Sequence, residues 1–111
     1  CWLLAYEDDA LVGYARVNFD SLLAATQRRG AELQKIYFLP GYAGRGFGRQ
    51  FFEQVQRRAV ERRQPLLWLE VLKQNADAQR FYQRQGLAVC GEAQYTSEQG
   101  AIELWTMSKA L

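Results

Sequence analysis

The sequence predicts a mixed α/β domain: a mostly antiparallel sheet with flanking helices, in the order β-β-β-α-β-α-β-β. Three observations lead there. The two ends of the chain are rich in strand-forming residues broken by short polar turns. In the middle, "LPGYAGRGFGRQFF" (Leu39–Phe52) switches from strand to helical periodicity. After it, "LLWLEV" (Leu66–Val71) is almost wholly apolar, as a strand covered on both faces would be.

The elements follow in order. "CWLLAYED" and "ALVGYARVNF" read as two strands joined by a tight turn at Asp8-Asp9. "DSLLAATQRRG" shows no clear period and is taken as a connection, either a loop or a short helical turn. "ELQKIYFL" is a strand with Leu33, Lys35 and Tyr37 on one face and Gln34, Ile36 and Phe38 on the other. Pro40-Gly41 ends it. From Gly46 a helical stripe begins, with Phe47, Phe51, Val55 and Ala59 along its centre and Phe52 and Val60 widening it. Pro65 closes that helix, and "LLWLEV" follows. Asn75 is a favourable N-cap for a second helix, Ala76–Gln85, and Gly86 suits its C-terminus. "LAVCGEAQY" and "AIELWTMSKAL" are the last two strands, a hairpin around "TSEQG".

At 111 residues the chain is read as one domain, residues 1–111. A net charge of +2 is too small to argue for nucleic acid, and the paired arginines in "QRRG" and "ERRQ" read as solvated faces. No apolar run approaches the roughly 18 residues of a membrane span. Histidine is absent, which excludes a histidine base, a Ser-His-Asp triad and any histidine metal ligand within this chain. Cys1 and Cys90 suggest neither a metal site nor a disulfide framework, and a reducing cytoplasmic setting is expected. No metal is expected. Cys1 opens inside an apolar run, which implies a natural N-terminus further upstream.

The glycine stretch carries the first chemistry. A strand that ends in bare backbone and feeds a helix presents unpaired N–H groups and the positive end of a helix dipole. That combination binds anions, phosphate above all. Gly44, Gly46 and Gly48 would let a pyrophosphate approach the backbone, with Arg45 and Arg49 adding charge at the rim. A Walker A loop is excluded, because Gly48 is followed by Arg49-Gln50. A dinucleotide fingerprint is excluded too, because Arg49 or Phe51 stands where its last glycine belongs. Taken alone, the three glycines fit a phosphate cradle and a simple strand-ending turn equally well.

"YAGRGFG" before a helix, followed by "WLEVLKQNADAQRFYQRQGL", resembles the GCN5-related N-acetyltransferases (the GNAT superfamily). The family loop reads Gln/Arg-x-x-Gly-x-Gly/Ala. Gly46 and Gly48 match its last two anchors, while Ala43 departs from the first. Asn75, Ala78, Phe81-Tyr82 and Gly86-Leu87 match the later segment. The resemblance covers most of the chain, although the family's first strand and first two helices have no counterpart in it. "ELQKIYFLPGY" and the C-terminal strands look, more loosely, like the bacterial polyamine acetyltransferases.

This resemblance implies acetyl-CoA as co-substrate and an amine, on a small molecule or a protein, as acceptor. Transfer would be direct, without a covalent enzyme intermediate. Ile36, Tyr37 and Phe38 would offer backbone groups to the pantetheine arm. The stretch Gly44, Arg45, Gly46, Phe47, Gly48 and Arg49 would hold the pyrophosphate, and Asn75 would touch the coenzyme. Tyr82 would protonate the departing thiolate, although Phe81-Tyr82 also reads as plain helix core. Glu70 or Glu32 would be the general base, directly or through a water; each also reads as an edge glutamate paired with an arginine. A non-catalytic module that keeps the coenzyme site is the alternative. Neither nucleic acid nor a membrane is an expected partner, and open sheet edges invite pairing between two copies.

Overall fold

In the computed structural model of the chain, which describes residues 1–42 and 46–111, the order of elements is the expected one. Asp8 and Asp9 take left-handed backbone angles (φ 50° and 67°), as a two-residue turn between twisted strands requires. They join β1 (Trp2–Glu7) to β2 (Ala10–Leu23). β3 (Arg28–Phe38) precedes α1 (Phe47–Glu61), and β4 (Leu66–Leu72) precedes α2 (Ala76–Arg84). β5 (Ala88–Ser97) and β6 (Gly100–Ala110) close the chain as a hairpin. The sheet runs β1-β2-β3-β4-β6-β5, with every neighbouring pair antiparallel except β3–β4.

The stretch expected as a connection, Asp20–Gly30, is the tip of a long hairpin. Ser21, Leu22 and Leu23 pair with Gly30, Arg29 and Arg28. The strand pattern is hidden there because the register shifts between Asn18 and Ser21, and Asp20 is left-handed (φ 53°). Burial of Leu23 against Leu66 and Trp68 holds the tip down.

A second register shift has more consequence. Arg16 pairs with Lys35 and Val17 with Leu33, so Gln34 is the extra residue of a bulge. The strict alternation expected for this strand therefore fails. Leu33 shares the core face with Ile36 and Phe38, while Lys35 and Tyr37 take the other face. The expected helix stripe also narrows. Phe51, Phe52, Val55 and Ala59 are buried, but Val60 is 57% exposed, because at 3.6 residues per turn it lies about 180° round the cylinder from Phe51.

Both helices cover one face of the sheet. Phe51, Phe52 and Val55 of α1 and Ala78, Phe81 and Tyr82 of α2 meet Val17, Leu33, Leu69, Val71 and Met107 there. Lys109 ties the layers together, with its Nζ donating to Gln56 Oε1 (2.6 Å) and to the Gln85 carbonyl at the end of α2 (3.0 Å). None of the helices among the described residues is long and apolar enough to cross a membrane.

β3 and β4 pair only at Ala31↔Leu67 and Glu32↔Trp68. Close to that closed end, a Cβ on Gly30 would lie 2.6 Å from the Leu66 carbonyl oxygen. Gly30→Ala should therefore force the two strands apart and destabilise the fold by about 1–3 kcal/mol. Urea unfolding should show a lower midpoint at an unchanged slope, and an unmoved midpoint would contradict the close approach.

Candidate active site

Beyond Glu32, β3 continues to Phe38 and β4 to Leu72 with no pairing between them. The bulge at Gln34 turns β3 away, and a cleft of about 390 Å³ opens between the strands. It passes from one face of the sheet to the other. On the helix side it is lined by Leu33, Val71, Ala78 and Tyr82. On the opposite side it is lined by Tyr14, Gln34, Glu70 and Leu104. Ile36 and Tyr37 form part of its wall, and the β4-facing edge of β3 leaves backbone groups there without a strand partner.

Tyr82 reaches the cleft from α2. Its ring packs on Phe52 and Phe81, with centroids 6.0 and 5.6 Å away. Among the described residues its hydroxyl has no hydrogen-bond partner, and burial raises its pKa above the ordinary phenol value. The group therefore keeps its proton at neutral pH. Asn75 lines the same cleft and caps α2, its Oδ1 accepting from the Ala78 N–H at 3.1 Å. The cap and the cleft wall are thus the same residue.

The two glutamates are placed differently. Glu70 projects from β4 into the cleft on the face away from the helices, and both of its oxygens accept from the Tyr95 hydroxyl, at 2.8 and 3.0 Å. Glu32 sits at the closed end, where its Oε1 accepts from Ser21 Oγ (2.9 Å) and Asn18 Nδ2 (3.3 Å). Neither glutamate forms an ion pair with an arginine among the described residues.

At the start of α1, Gly46 is the N-cap in a left-handed conformation (φ 79°), and no side chain caps the helix. Gly46, Gly48, Arg49, Phe81, Arg84 and Gln85 line a groove of about 560 Å³. The backbone angle by itself explains glycine at position 46. Position 48 is different. A Cβ there would sit 3.4 Å from the Phe81 ring, an ordinary contact, so the protein's own packing does not demand glycine. Arg49 donates to Glu53 at 3.2 Å on an exposed surface, which leaves its charge available to the groove at little cost. Phe47 does not line this groove: its ring packs against Tyr42 (5.1 Å) and along a cleft between α1 and β1. Phe38 packs edge-on against Phe51 (5.4 Å) and supports the cleft from behind. Gly44 and Arg45 lie outside the described residues.

Sequence reasoning missed Tyr95, Tyr14 and Arg84. Arg84 could have been found, because it lies on the last turn of a helix whose Phe81 was already implicated. The reach of Tyr95 across β6 has no sequence signal. A bare strand edge, a bare helix start and two arginines suit a long ligand carrying phosphates at one end and amides along its length. The donor set is therefore compatible with acetyl-CoA.

Residues 1–87 match the family described as acetyltransferase (GNAT) family. An uncharacterised N-acetyltransferase of Mycobacterium tuberculosis is 36% identical over 89 residues, covering 80% of this chain and 53% of that protein. The streptothricin acetyltransferase of Streptomyces lavendulae is 38% identical over 84 residues, covering 76% of this chain and 42% of that protein. The chain thus spans about half the length of the curated relatives it matches. Among solved structures, a ribosomal-protein-alanine N-acetyltransferase from Brucella melitensis superposes with a TM-score of 0.80 at 26% identity, covering 99% of this chain and 68% of that one.

Proposed function

The chain belongs to the acetyltransferase (GNAT) family, and from that premise we propose that it transfers acetyl from acetyl-CoA directly to a primary amine held in the β3–β4 cleft. The observation that carries this reading is the position of two proton-handling groups on opposite sides of one opening: the Glu70 carboxylate on one face and the Tyr82 phenol on the other. A direct transfer removes two protons from the acceptor, one from the incoming ammonium and one from the nitrogen once it has bonded to carbon, and supplies one to the departing sulfur. A cleft that runs through the sheet lets the two substrates enter from opposite faces.

The groove at Gly46, Gly48, Arg49 and Arg84 would hold the coenzyme's phosphates. The unpaired edge of β3 at Ile36–Phe38 would pair with the pantetheine amides and direct an N–H toward the thioester carbonyl. When bound, acetyl-CoA supplies an acetyl group already activated as a thioester. Glu70 is the base, because it lines the cleft while Glu32 is held at its closed end by Ser21 and Asn18. Tyr82 is the acid, because its hydroxyl is protonated and uncommitted.

The test is acetyl transfer by the intact protein to a panel of amines. The panel includes a polyamine, a lysine peptide, a peptide with N-terminal alanine, and streptothricin, which one relative's name carries. Coenzyme binding without turnover on any amine would reduce the chain to a binding module. Glu70→Gln should lower the rate at neutral pH and remove the acidic limb of the pH–rate profile, because the amide cannot accept the proton. Glu32→Gln should leave that limb in place. The reverse pattern would move the base to Glu32.

A further inference from the structure

We propose that Tyr95 is the positioning residue for the Glu70 carboxylate, fixing the base at the acceptor mouth of the cleft from a strand two places away in the sheet. The inference rests on the reading of Glu70 as the base. Tyr95 is on β5, β6 lies between, and Glu70 is on β4. Tyr95 pairs with Ile102, and Glu70 with Thr106. All four side chains are on the face away from the helices, as the registers of β4, β5 and β6 dictate. The phenol thus crosses β6 diagonally and donates to both Glu70 oxygens, at 2.8 and 3.0 Å.

A glutamate has three rotatable side-chain bonds. At an opening where β4 has lost its β3 neighbour, no paired strand on that side confines it. Among the described residues the Tyr95 hydroxyl is the only group that hydrogen-bonds its carboxylate. The ring is 54% exposed, so burying it adds little to the fold. A large aromatic left in solvent on an outer strand, with its one polar atom on a candidate base, fits a role in orientation better than one in packing. Ser21 and Asn18 hold the Glu32 carboxylate in the same way. Each of the two carboxylates on this face is therefore set by its own neutral donors rather than by a cation.

The contact should appear from the tyrosine's side as well. The hydrogen bond to Glu70 is the largest cause raising the Tyr95 pKa, ahead of burial and of the charges of Glu70 and Glu32. Those two carboxylates are the charged groups that bear on it.

The experiment combines a double-mutant cycle with a titration on the intact protein. Tyr95→Phe should lower kcat about tenfold, leaving the KM for acetyl-CoA and the melting temperature unchanged. In the Glu70→Gln background the same substitution should have no further effect, because the group it orients no longer acts. Independently of activity, ultraviolet titration of the Tyr95 phenol, identified by difference from Tyr95→Phe, should move to lower pH in Glu70→Gln. A slow Glu70→Gln beside a full-speed Tyr95→Phe would overturn the positioning role and leave the base in place. Equal losses from Tyr95→Phe in both backgrounds, or an unmoved phenol titration, would overturn it too. A full-speed Glu70→Gln would overturn the base and the inference together.

Discussion

Gly48→Asp should abolish coenzyme A binding while leaving the melting temperature unchanged or raising it. The two halves of this expectation have opposite causes. Residue 48 is the second residue of α1, whose first turn contains no acidic side chain. An aspartate there complements the helix dipole by about 0.3–1 kcal/mol, and replacing glycine inside a helix removes an entropic cost. Its Cβ would meet the Phe81 ring at 3.4 Å without a clash. The same carboxylate would stand in the groove lined by Arg49 and Arg84. It would engage those charges and repel a pyrophosphate, and like-charge juxtaposition of this kind costs several kcal/mol, or on the order of 10²-fold or more in affinity. Calorimetry with coenzyme A and a thermal melt check both halves. Gly48→Asn separates bulk from charge: it should weaken binding less than the aspartate does. An unchanged affinity in Gly48→Asp would move the phosphates away from this groove.

Much of this arrangement was legible in the residues, and the reasons for the rest are physical. Periodicity revealed the helix at Phe51–Val55–Ala59 because a buried stripe needs no partner's identity to be visible. Asn75 and Gly86 marked the second helix because capping is local chemistry. The hairpin tip at Ala24–Gln27 was not legible, since its strands are interrupted by a left-handed Asp20 and a register shift. The bulge at Gln34 escaped for a related reason. One extra residue exchanges the faces of everything after it, yet "ELQKIYFL" reads as a regular strand whether or not the bulge is there. That bulge is what separates β3 from β4 and opens the cleft, so the element that makes the candidate site is the one the alternation pattern conceals. Tyr82 and Glu70 could be singled out as residues, but their placement on opposite sides of the opening follows from the parity of β4 against α2 and becomes visible only in the fold.

The largest catalytic effect is expected from Tyr82→Phe. The phenylalanine keeps the ring that packs on Phe52 and Phe81 and removes only the hydroxyl. That hydroxyl has no hydrogen-bond partner among the described residues and is desolvated enough to raise its pKa. Deleting a hydroxyl that makes no hydrogen bond within the protein and keeps some contact with solvent breaks no internal bond. The melting temperature should therefore hold or rise slightly. If the phenol gives its proton to the leaving sulfur, its loss should lower kcat by about 10²-fold, within the range usual for a positioned general acid. The affinity for acetyl-CoA should scarcely change, because the proton is needed only as the thiolate departs. The loss should shrink with an acyl donor whose leaving group is a weaker base than the coenzyme A thiolate, since such a group leaves without help. That dependence on the leaving group separates chemistry from packing: a core role predicts the same rate ratio for every donor. Full activity of Tyr82→Phe with acetyl-CoA would return Tyr82 to the hydrophobic layer beneath the cleft and leave the departing thiolate to water.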